Sequence, residues 1–281
     1  MLFPSLVAGL WLLATTASAE CTRGFLKNAT DAYVAAQGFG QTSALPPLAD
    51  SFAYVENSVP LDIKAGVLTT PLTFDSNRSV YDTTQCASFT ELIAASNAHP
   101  YVIHTRILFD SDSQRINLIA SVVTDSDDWA FNATGYVYWN SIETSWAPIP
   151  PEKRDTRAAI QAAGDAYFNR WNDTSVQIPM ATPCARLEGG AYTGRGNLSA
   201  NTCDIGGFPS TIVVTNRQYV IDEEMGVVDL FMGFPGLDRT YPDIPMPDSH
   251  MFRVEGGLIR YIHTVSGCRS VRCGMPRQEW E

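Results

Sequence analysis

The sequence predicts an α+β protein built from two related halves, each an amphipathic helix followed by antiparallel β-strands. Apolar residues at helical spacing open each half, over Gly24–Ala36 and again between Asp155, a candidate N-cap, and Trp171. Runs of β-prone residues with alternating polarity follow both helices and are separated by turn residues. The triplet Asp-Ala-Tyr recurs in both helices, at 31–33 and at 165–167. The halves therefore share an order of elements.

Four strands are predicted in the two halves, at Tyr101–Phe109, Ile116–Thr124, Arg217–Asp222 and Val227–Phe234. Alternation along the first of them places His104 and Arg106 on one face, which is either a wet outer face or the wall of a pocket. Two further elements are predicted from shorter patterns: a short helix at Thr90–Ser96, and a hairpin in which Trp129–Phe131 and Tyr136–Trp139 flank a turn at Gly135.

A hairpin over His250–His263 closes the second half, because Gly256 and Gly257 supply the positive φ angles of a tight turn. Strict alternation puts Tyr261 and His263 on one face together with Ile259, and Arg260 on the other. The ionisable residues here have two interpretations: the wet face of a structural hairpin, or the polar floor of a ligand cavity.

An internal duplication is predicted from the order of the elements, with domains at 20–147 and 148–281. The segment Pro148-Ile-Pro-Pro151 is the expected linker. The predicted correspondence pairs Arg106…Asp110…Leu118 with Arg217…Asp222…Leu230, and Phe131/Gly135 with Phe252/Gly256.

The first 19 residues have the features of a secretory signal peptide: an apolar run at 6–14, then Ala17-Ser18-Ala19, with cleavage predicted before Glu20. A secreted protein, or one of the secretory pathway lumen, is therefore expected. No later run reaches the ~18 apolar residues of a membrane span. An even number of cysteines, six, follows the cleavage site and predicts three disulfides, with fifteen connectivities open. Sequence proximity favours Cys184–Cys203, Cys268–Cys273 and Cys21–Cys86. Five sequons predict N-glycosylation, at Asn28, Asn77, Asn132, Asn172 and Asn197.

Composition excludes several functional classes. A formal net charge of -11 without a Lys/Arg cluster disfavours nucleic acid as a partner. No G-x-S-x-G motif, phosphate-binding loop or Cys/His ligand spacing occurs, so neither a cofactor nor a metal is expected. Any chemistry must be acid–base or electrostatic work by pocket side chains.

A helix followed by a bent antiparallel sheet that ends in Arg253-Val-Glu-Gly-Gly257 resembles the cone-shaped nuclear-transport-factor-2-like fold. The resemblance is strongest over residues 155–265 and weaker over 24–140. It implies a tandem pair of cone-like domains, each a helix packed on a curved antiparallel sheet, with an apolar pocket between helix and sheet.

A closer resemblance covers nearly the whole mature chain. Its motifs are Cys184-Ala-Arg-Leu-Glu-Gly-Gly190, Tyr219-Val-Ile-Asp-Glu-Glu224, Gly233-Phe-Pro-Gly-Leu-Asp-Arg239 and Phe252-Arg-Val-Glu-Gly-Gly257 with Arg260-Tyr-Ile-His263. They are similar to a fungal secreted-domain family that includes hetero-Diels–Alderases of tropolone–sesquiterpenoid biosynthesis. The resemblance implies a cofactor-independent pericyclase that joins a tropolone o-quinone methide to a sesquiterpene alkene. The expected partner is a small apolar polyketide–terpenoid substrate. No membrane contact is expected in the mature form, and whether the protein forms a homodimer is left open.

Candidate site residues are the polar and aromatic side chains of the second half. Those with catalytic potential are His263, Tyr261, Arg186, Glu188 and His250. Those expected to bind substrate are Arg217, Tyr219, Tyr192 and Phe252. Arg186 and Glu188 share a strand face and could instead simply pair with each other. Two other functions remain open: a hydro-lyase or isomerase of the same fold, and a secreted small-molecule binding protein without turnover.

Overall fold

The computed structural model of the chain describes residues 21–144, 146–193, 203, 207–238, 240–270 and 273. The predicted signal peptide and Asn197 lie outside the described residues. The fold is α+β, with two six-stranded sheets that each carry a helix, which confirms the predicted fold class. The α-helices are α1 (Arg23–Phe39), α2 (Ala133–Ile142) and α3 (Arg157–Asn169).

Twelve strands are formed by the described residues. Those of the first sheet are β1 (Leu48–Glu56), β2 (Val59–Pro60), β3 (Ser76–Asp82), β4 (Ala87–Ala94), β5 (Tyr101–Phe109) and β6 (Ile116–Thr124). Those of the second are β7 (Met180–Glu188), β8 (Ala191–Tyr192), β9 (Thr215–Asp222), β10 (Val227–Phe234), β11 (Met246–Glu255) and β12 (Leu258–Ser266). We call α1 with the first sheet the first domain, and α3 with the second sheet the second domain.

The two sheets have the same topology, in the orders β2-β1-β6-β5-β4-β3 and β8-β7-β12-β11-β10-β9. Neighbouring strands run antiparallel except at one position in each sheet, where β1 pairs with β6 and β7 with β12 in parallel. The sheets are therefore mixed where the sequence predicted antiparallel ones. The strand that follows each helix lies beside the last strand of its own domain and runs in the same direction.

Each domain has its own core between its helix and one face of its sheet. In the first domain, the buried Leu26 and Tyr33 of α1 belong to a cluster with Leu92 and Ile107. In the second, α3 buries Phe168 and its neighbours against the matching face. Thr156, rather than the expected Asp155, caps α3 by accepting a hydrogen bond from the backbone N–H of Ala159.

The other faces of the two sheets pack against each other, and we call this contact the seam. A third core cluster fills it with buried residues of both domains: Val80, Phe89, Val102, Val122, Leu187, Val220, Phe231, Met251 and Val265 are among them. The molecule thus has four layers, in the order helix, sheet, sheet, helix. Burial on both faces explains why β4, β10 and β11 are buried almost throughout.

Two sequence predictions of secondary structure are wrong. Residues 133–142, expected to form part of a hairpin, are α2, because Asn132 caps a helix there by accepting from the backbone N–H of Gly135. The short helix predicted at Thr90–Ser96 is strand β4, which pairs with β3 and β5 along its whole length. In the second case, strand pairing in the first sheet outweighs local helix propensity.

The predicted repeat is present, but in another register. Because α2 is not a hairpin, β3–β4 corresponds to β9–β10, and β5–β6 to β11–β12. Asp82 at the end of β3 thus corresponds to Asp222 at the end of β9. The domain boundary at 147/148 stays a prediction, since residues on both sides of it pack in the seam.

Three disulfides join Cys21 to Cys86, Cys184 to Cys203 and Cys268 to Cys273, the pairs that sequence proximity favoured. Asn28, Asn77, Asn132 and Asn172 are exposed, as glycosylation would require. Among the described helices, none has the length and apolar character to cross a bilayer.

Candidate functional site

A cavity of about 340 Å³ opens at one end of the seam. Its walls come from the end of α2, the β7–β8 hairpin and the β11–β12 hairpin. The lining residues that bear on its chemistry are Glu143, Tyr192, Glu255, Arg260 and Tyr261. This volume lies within the range of small-molecule sites.

Glycines let α2 approach the second sheet closely enough to form one wall. Gly189 and Gly190 have positive φ angles and make the turn between β7 and β8. A Cβ on Gly190 would lie 1.8 Å from the backbone oxygen of Asn132, and one on Gly135 would lie 2.2 Å from that of Gly190. Gly135, predicted as a turn residue, is thus needed for close packing. The contact places Glu143, which follows α2, opposite Tyr192 of β8.

The central feature of the site is an ion pair between Glu143 and His263. Glu143 Oε2 lies 2.9 Å from His263 Nε2 and accepts a hydrogen bond from Trp146 Nε1 at 2.8 Å. The other ring nitrogen of His263 lies 2.8 Å from Glu91 Oε2, across the seam. Burial disfavours the imidazolium, but Glu143 and Glu91 outweigh it and raise the pKa of His263 to about 9. His263 is therefore a buried cation at neutral pH.

Hydrogen bonds continue from His263 into the interior of the seam. Glu91 Oε2 also lies 3.3 Å from His104 Nε2, and His104 Nδ1 lies 2.8 Å from Ser249 Oγ. Ser249 in turn bonds Asp229 at 2.8 Å. Burial lowers the pKa of His104 and raises that of Asp229 well above its ordinary value. A continuous chain of six residues thus connects the buried carboxyl group of Asp229, whose pKa is raised, to Glu143 at the cavity.

Glu91 is the centre of this network. Besides the two histidines, its Oε1 accepts from Asn140 Nδ2 at 2.9 Å and from Arg78 at 3.0 Å. Burial opposes the charged carboxylate, but His263, His104 and Arg78 hold the pKa of Glu91 well below its ordinary value. A buried carboxylate with this many donors is stable as an anion.

Two stacked aromatic pairs form flat walls. Tyr261 stacks on Trp146 with ring centroids 5.3 Å apart, and Tyr192 stacks on Trp139 at 4.3 Å. The guanidinium of Arg78 lies over the Trp146 ring at 3.7 Å. The rings of Tyr261 and Tyr192 are therefore held in place by the tryptophans on which they stack.

Arg260 lines this cavity too, although strict alternation predicted that it faces away from Tyr261. The pairing of β12 shifts register between Ile259 and Tyr261, which makes Arg260 a bulge residue. Ile259 then belongs to the helix-side core of the second domain, while Tyr261 and His263 face the seam. The bulge was not predictable from alternation alone.

The remaining candidates lie elsewhere in the second domain. Arg186, Glu188, His250 and Phe252 are on the helix-facing side of the sheet, opposite to His263. Arg186 donates to Tyr167 Oη at 3.0 Å and pairs with Glu188, which accepts from Trp129 Nε1 at 2.9 Å. His250 Nδ1 lies 2.5 Å from Asp248, among aromatic rings. The sheet thus separates the predicted catalytic residues into two groups.

Arg217 and Tyr219, predicted to bind substrate, both bind Asp165 of α3 at 2.8 Å. These contacts connect the helix to strand β9 in the second domain, away from the seam cavity. His104 is completely buried in the seam, which excludes the wet-face interpretation of its strand.

The predictions from sequence missed Glu143, Glu91 and Trp146. Glu143 follows α2, which the sequence predicted to be part of a hairpin. Glu91 lies in β4, which the sequence predicted to be a helix. The side of the sheet on which either side chain lies was therefore not predicted. Within the described part of the chain, no group of three or more His, Cys, Asp or Glu side chains is arranged to hold a metal ion. The carboxylates of this site, Glu91 and Glu143, are hydrogen-bonded to histidines and, for Glu91, to Arg78.

Among known protein families, part of the chain matches one that has no assigned function. A domain of unknown function (DUF8021) matches residues 153–266, which span α3 to β12 and thus the second domain. No curated protein matches the chain. Among solved structures, an NTF2-like protein of unknown function from Shewanella baltica OS155 is similar, with 8% identity and a TM-score of 0.28. The match covers 37% of this chain and 94% of that one. Similarity at this level carries no inference about function.

Proposed function

We propose that the protein is a cofactor-independent enzyme that uses the seam cavity, with Glu143 as proton acceptor and donor and His263 as the cation that orients it. The observation that carries the proposal is that Glu143 lines the cavity and that its carboxylate is hydrogen-bonded to a buried imidazolium. An ion pair with no access to a ligand would be costly to retain, because desolvation offsets much of its attraction. Perturbed groups beside a cavity are characteristic of functional sites.

The specific reaction proposed is a hetero-Diels–Alder cycloaddition, in agreement with the family resemblance of the sequence. Glu143 would accept the ring hydroxyl proton of a hydroxymethyl tropolone and return it to the departing hydroxyl group. The C–O bond breaks, water leaves, and an o-quinone methide remains. This diene then forms one C–C and one C–O bond with a sesquiterpene alkene, with no further atoms gained or lost.

The cavity would contribute in two further ways. Holding both reactants together replaces a bimolecular encounter, an effect that can reach roughly 7–11 kcal/mol for well-oriented groups. Arg260 and the phenol of Tyr261 would donate hydrogen bonds to oxygens that gain negative charge. A secreted or lumenal location is part of the proposal and agrees with the three disulfides.

The test is to incubate purified protein with the hydroxymethyl tropolone and a humulene-type alkene and to measure cycloadduct yield and stereoisomer ratio. Heat-denatured protein supplies the spontaneous background. The proposal predicts faster formation and a single dominant stereoisomer. Water loss without a cycloadduct would instead support a hydro-lyase. A ratio and rate equal to the background would contradict the pericyclase assignment.

A further inference from the structure

Five side chains next to the seam cavity form a closed ring of polar contacts, and Arg78 of the first sheet closes it. Arg78 Nη1 lies 3.0 Å from Glu91 Oε1, and Glu91 Oε2 lies 2.8 Å from His263 Nδ1. His263 Nε2 lies 2.9 Å from Glu143 Oε2, to which Trp146 Nε1 donates at 2.8 Å. The guanidinium of Arg78 covers the Trp146 ring. Two routes therefore connect Arg78 to Glu143, one through Glu91 and His263 and the other through Trp146.

The charges of this ring alternate. Each of the two cations, Arg78 and His263, forms an ion pair with Glu91, and His263 forms a second one with Glu143. A buried carboxylate that loses one of its partners keeps its cost of desolvation, so an incomplete ring is unfavourable. The members of the ring therefore hold one another in a single arrangement.

Arg78 also joins three separate elements of the structure. From β3 it contacts Glu91 on β4, donates through Nη2 to Asn140 Oδ1 of α2 at 2.6 Å, and lies over Trp146 in the segment between the domains. A planar guanidinium can make two hydrogen bonds and stack on a ring at the same time, which an ammonium group cannot. Trp146 in turn stacks on Tyr261 of the second sheet. The arginine thus connects the first sheet to the helix and the segment that carry Glu143.

We propose that Arg78 is a positioning residue of the site, which holds Trp146 and Glu91 and through them fixes the direction of the Glu143 carboxylate. Arg78 is mostly buried and is not among the described residues that line the cavity. The first domain thereby becomes part of the site, although the family match covers the second domain alone. The inference rests on the proposed function for the role of Glu143 in proton transfer, while the positioning is a property of the protein without substrate.

The first measurement is the exchange of the Trp146 indole N–H with solvent. It uses nuclear magnetic resonance of protein that contains nitrogen-15-labelled tryptophan, and the signal that disappears in Trp146→Phe gives the assignment. The hydrogen bond to Glu143 slows this exchange in the wild type. We expect exchange to be at least ~10-fold faster in Arg78→Gln, which removes the charge and the planar group. Arg78→Lys keeps the charge but not the planar group, and we expect a similar acceleration.

The second measurement is the steady-state kinetics of cycloadduct formation by the same variants. We expect kcat to fall by between ~10-fold and ~100-fold in both Arg78 variants, the effect of a small displacement of a reacting group. KM should stay near the wild-type value, because Arg78 does not contact the substrate.

Arg157→Gln is the matched control, because it also removes an ion pair with a buried carboxylate between the domains. Its partner, Asp82, lies four residues after Arg78 on β3. This variant should lose stability yet keep the wild-type exchange of the Trp146 N–H and the wild-type kcat. Far-ultraviolet circular dichroism of each variant verifies folding at the temperature of the measurement.

Wild-type exchange in both Arg78 variants, or faster exchange with an unchanged kcat, would overturn the inference. Equal losses in Arg157→Gln would also overturn it, because the effect would then be one of stability alone. Failure of the proposed function has a different outcome: the wild type shows no turnover. Faster exchange confined to the Arg78 variants would still support the positioning of Glu143 in that case.

Discussion

His263 has the most unusual environment of the residues in the site. It is completely buried, yet both ring nitrogens lie within hydrogen-bond distance of carboxylates, Glu91 on one side and Glu143 on the other. Two further titratable groups lie next to it through their bonds to Glu91: His104, whose pKa is lowered by burial, and the guanidinium of Arg78. A raised pKa in the folded state means that folding takes up a proton above the pKa of the unfolded chain.

The pH dependence of stability follows from this shift. The contribution of His263 is fully present below its unfolded pKa of about 6.5 and is lost as pH rises through its folded pKa of about 9. We expect the stability advantage of the wild type over His263→Gln to shrink by roughly 3 kcal/mol across this interval. Urea unfolding at a series of pH values measures it. An advantage that stays constant or grows from pH 6.5 to 9.5 would show that His263 is neutral in the folded protein.

The sequence predicts which face of the sheet a side chain lies on only where the residue is in a regular part of a strand. Tyr261 and His263 were correctly placed on one face because they follow the bulge in β12 rather than precede it. Arg260 was misplaced because a one-residue bulge leaves no signature in the alternation of polar and apolar residues. Glu91 is the one charged residue of the buried strand β4, a signal of a buried network that appears only once the strand itself is known.

At the scale of elements, α2 decides where the cavity lies, since its end supplies Glu143. The pattern of residues 129–139 favoured strands, because aromatic residues are common in strands and Gly135 suits a turn. The helix forms because Asn132 caps it and because Gly135 and Gly190 allow close packing on the β7–β8 hairpin. The first of these signals is visible in sequence, but the second requires the partner hairpin.

Removing the cap should weaken this element measurably. We expect Asn132→Ala to lower the free energy of unfolding by about 1 kcal/mol relative to Asn132→Asp, because aspartate retains an acceptor for the Gly135 N–H. Both variants lose the glycosylation sequon, so their difference isolates the cap from any effect of a glycan. Chemical unfolding of the two proteins side by side provides the measurement, and equal stabilities would mean that α2 is held by packing alone.

At the scale of the whole molecule, the two domains are joined by reciprocal ion pairs. Arg23 of α1 binds Asp222 of the second sheet at 2.8 Å, and Arg157 of α3 binds Asp82 of the first sheet with two contacts of 2.7 Å. Each aspartate also accepts a backbone N–H from the opposite domain, Tyr81 for Asp222 and Ile221 for Asp82. The duplication predicted from sequence is thus a pseudo-dimer within one chain.

The register of that repeat could not be predicted, because low identity left only the order of elements as a guide. Asp82 and Asp222 are equivalent by position in the sheets and by their partners, yet the sequence pattern paired Asp222 with Asp110. Asp110 instead follows β5 and accepts hydrogen bonds from its own turn. The strand orders of the two sheets and the reciprocal contacts across the seam reveal the correspondence.

Breaking one reciprocal pair should destabilise the fold more than breaking a surface pair. Asp82 is completely buried, so Arg157→Gln leaves an incompletely compensated carboxylate. We expect it to lower the free energy of unfolding by about 2–3 kcal/mol, below the range for fully buried pairs because Arg157 is partly exposed. Lys27→Gln removes the exposed pair with Asp31 and serves as the control. Equal effects of the two substitutions on thermal unfolding would mean that this contact does not stabilise the seam.

We propose that the seam cavity, rather than the interior of the second domain, is the functional site. The most direct measurement is the initial rate of cycloadduct formation by Glu143→Gln, which keeps the size of the side chain but removes its charge. We expect the rate to fall by at least ~100-fold, the lower range for a residue that transfers protons. Glu152→Gln, at an exposed position before α3, should retain the wild-type rate. A Glu143→Gln protein that remains folded and as active as the wild type would contradict the claim.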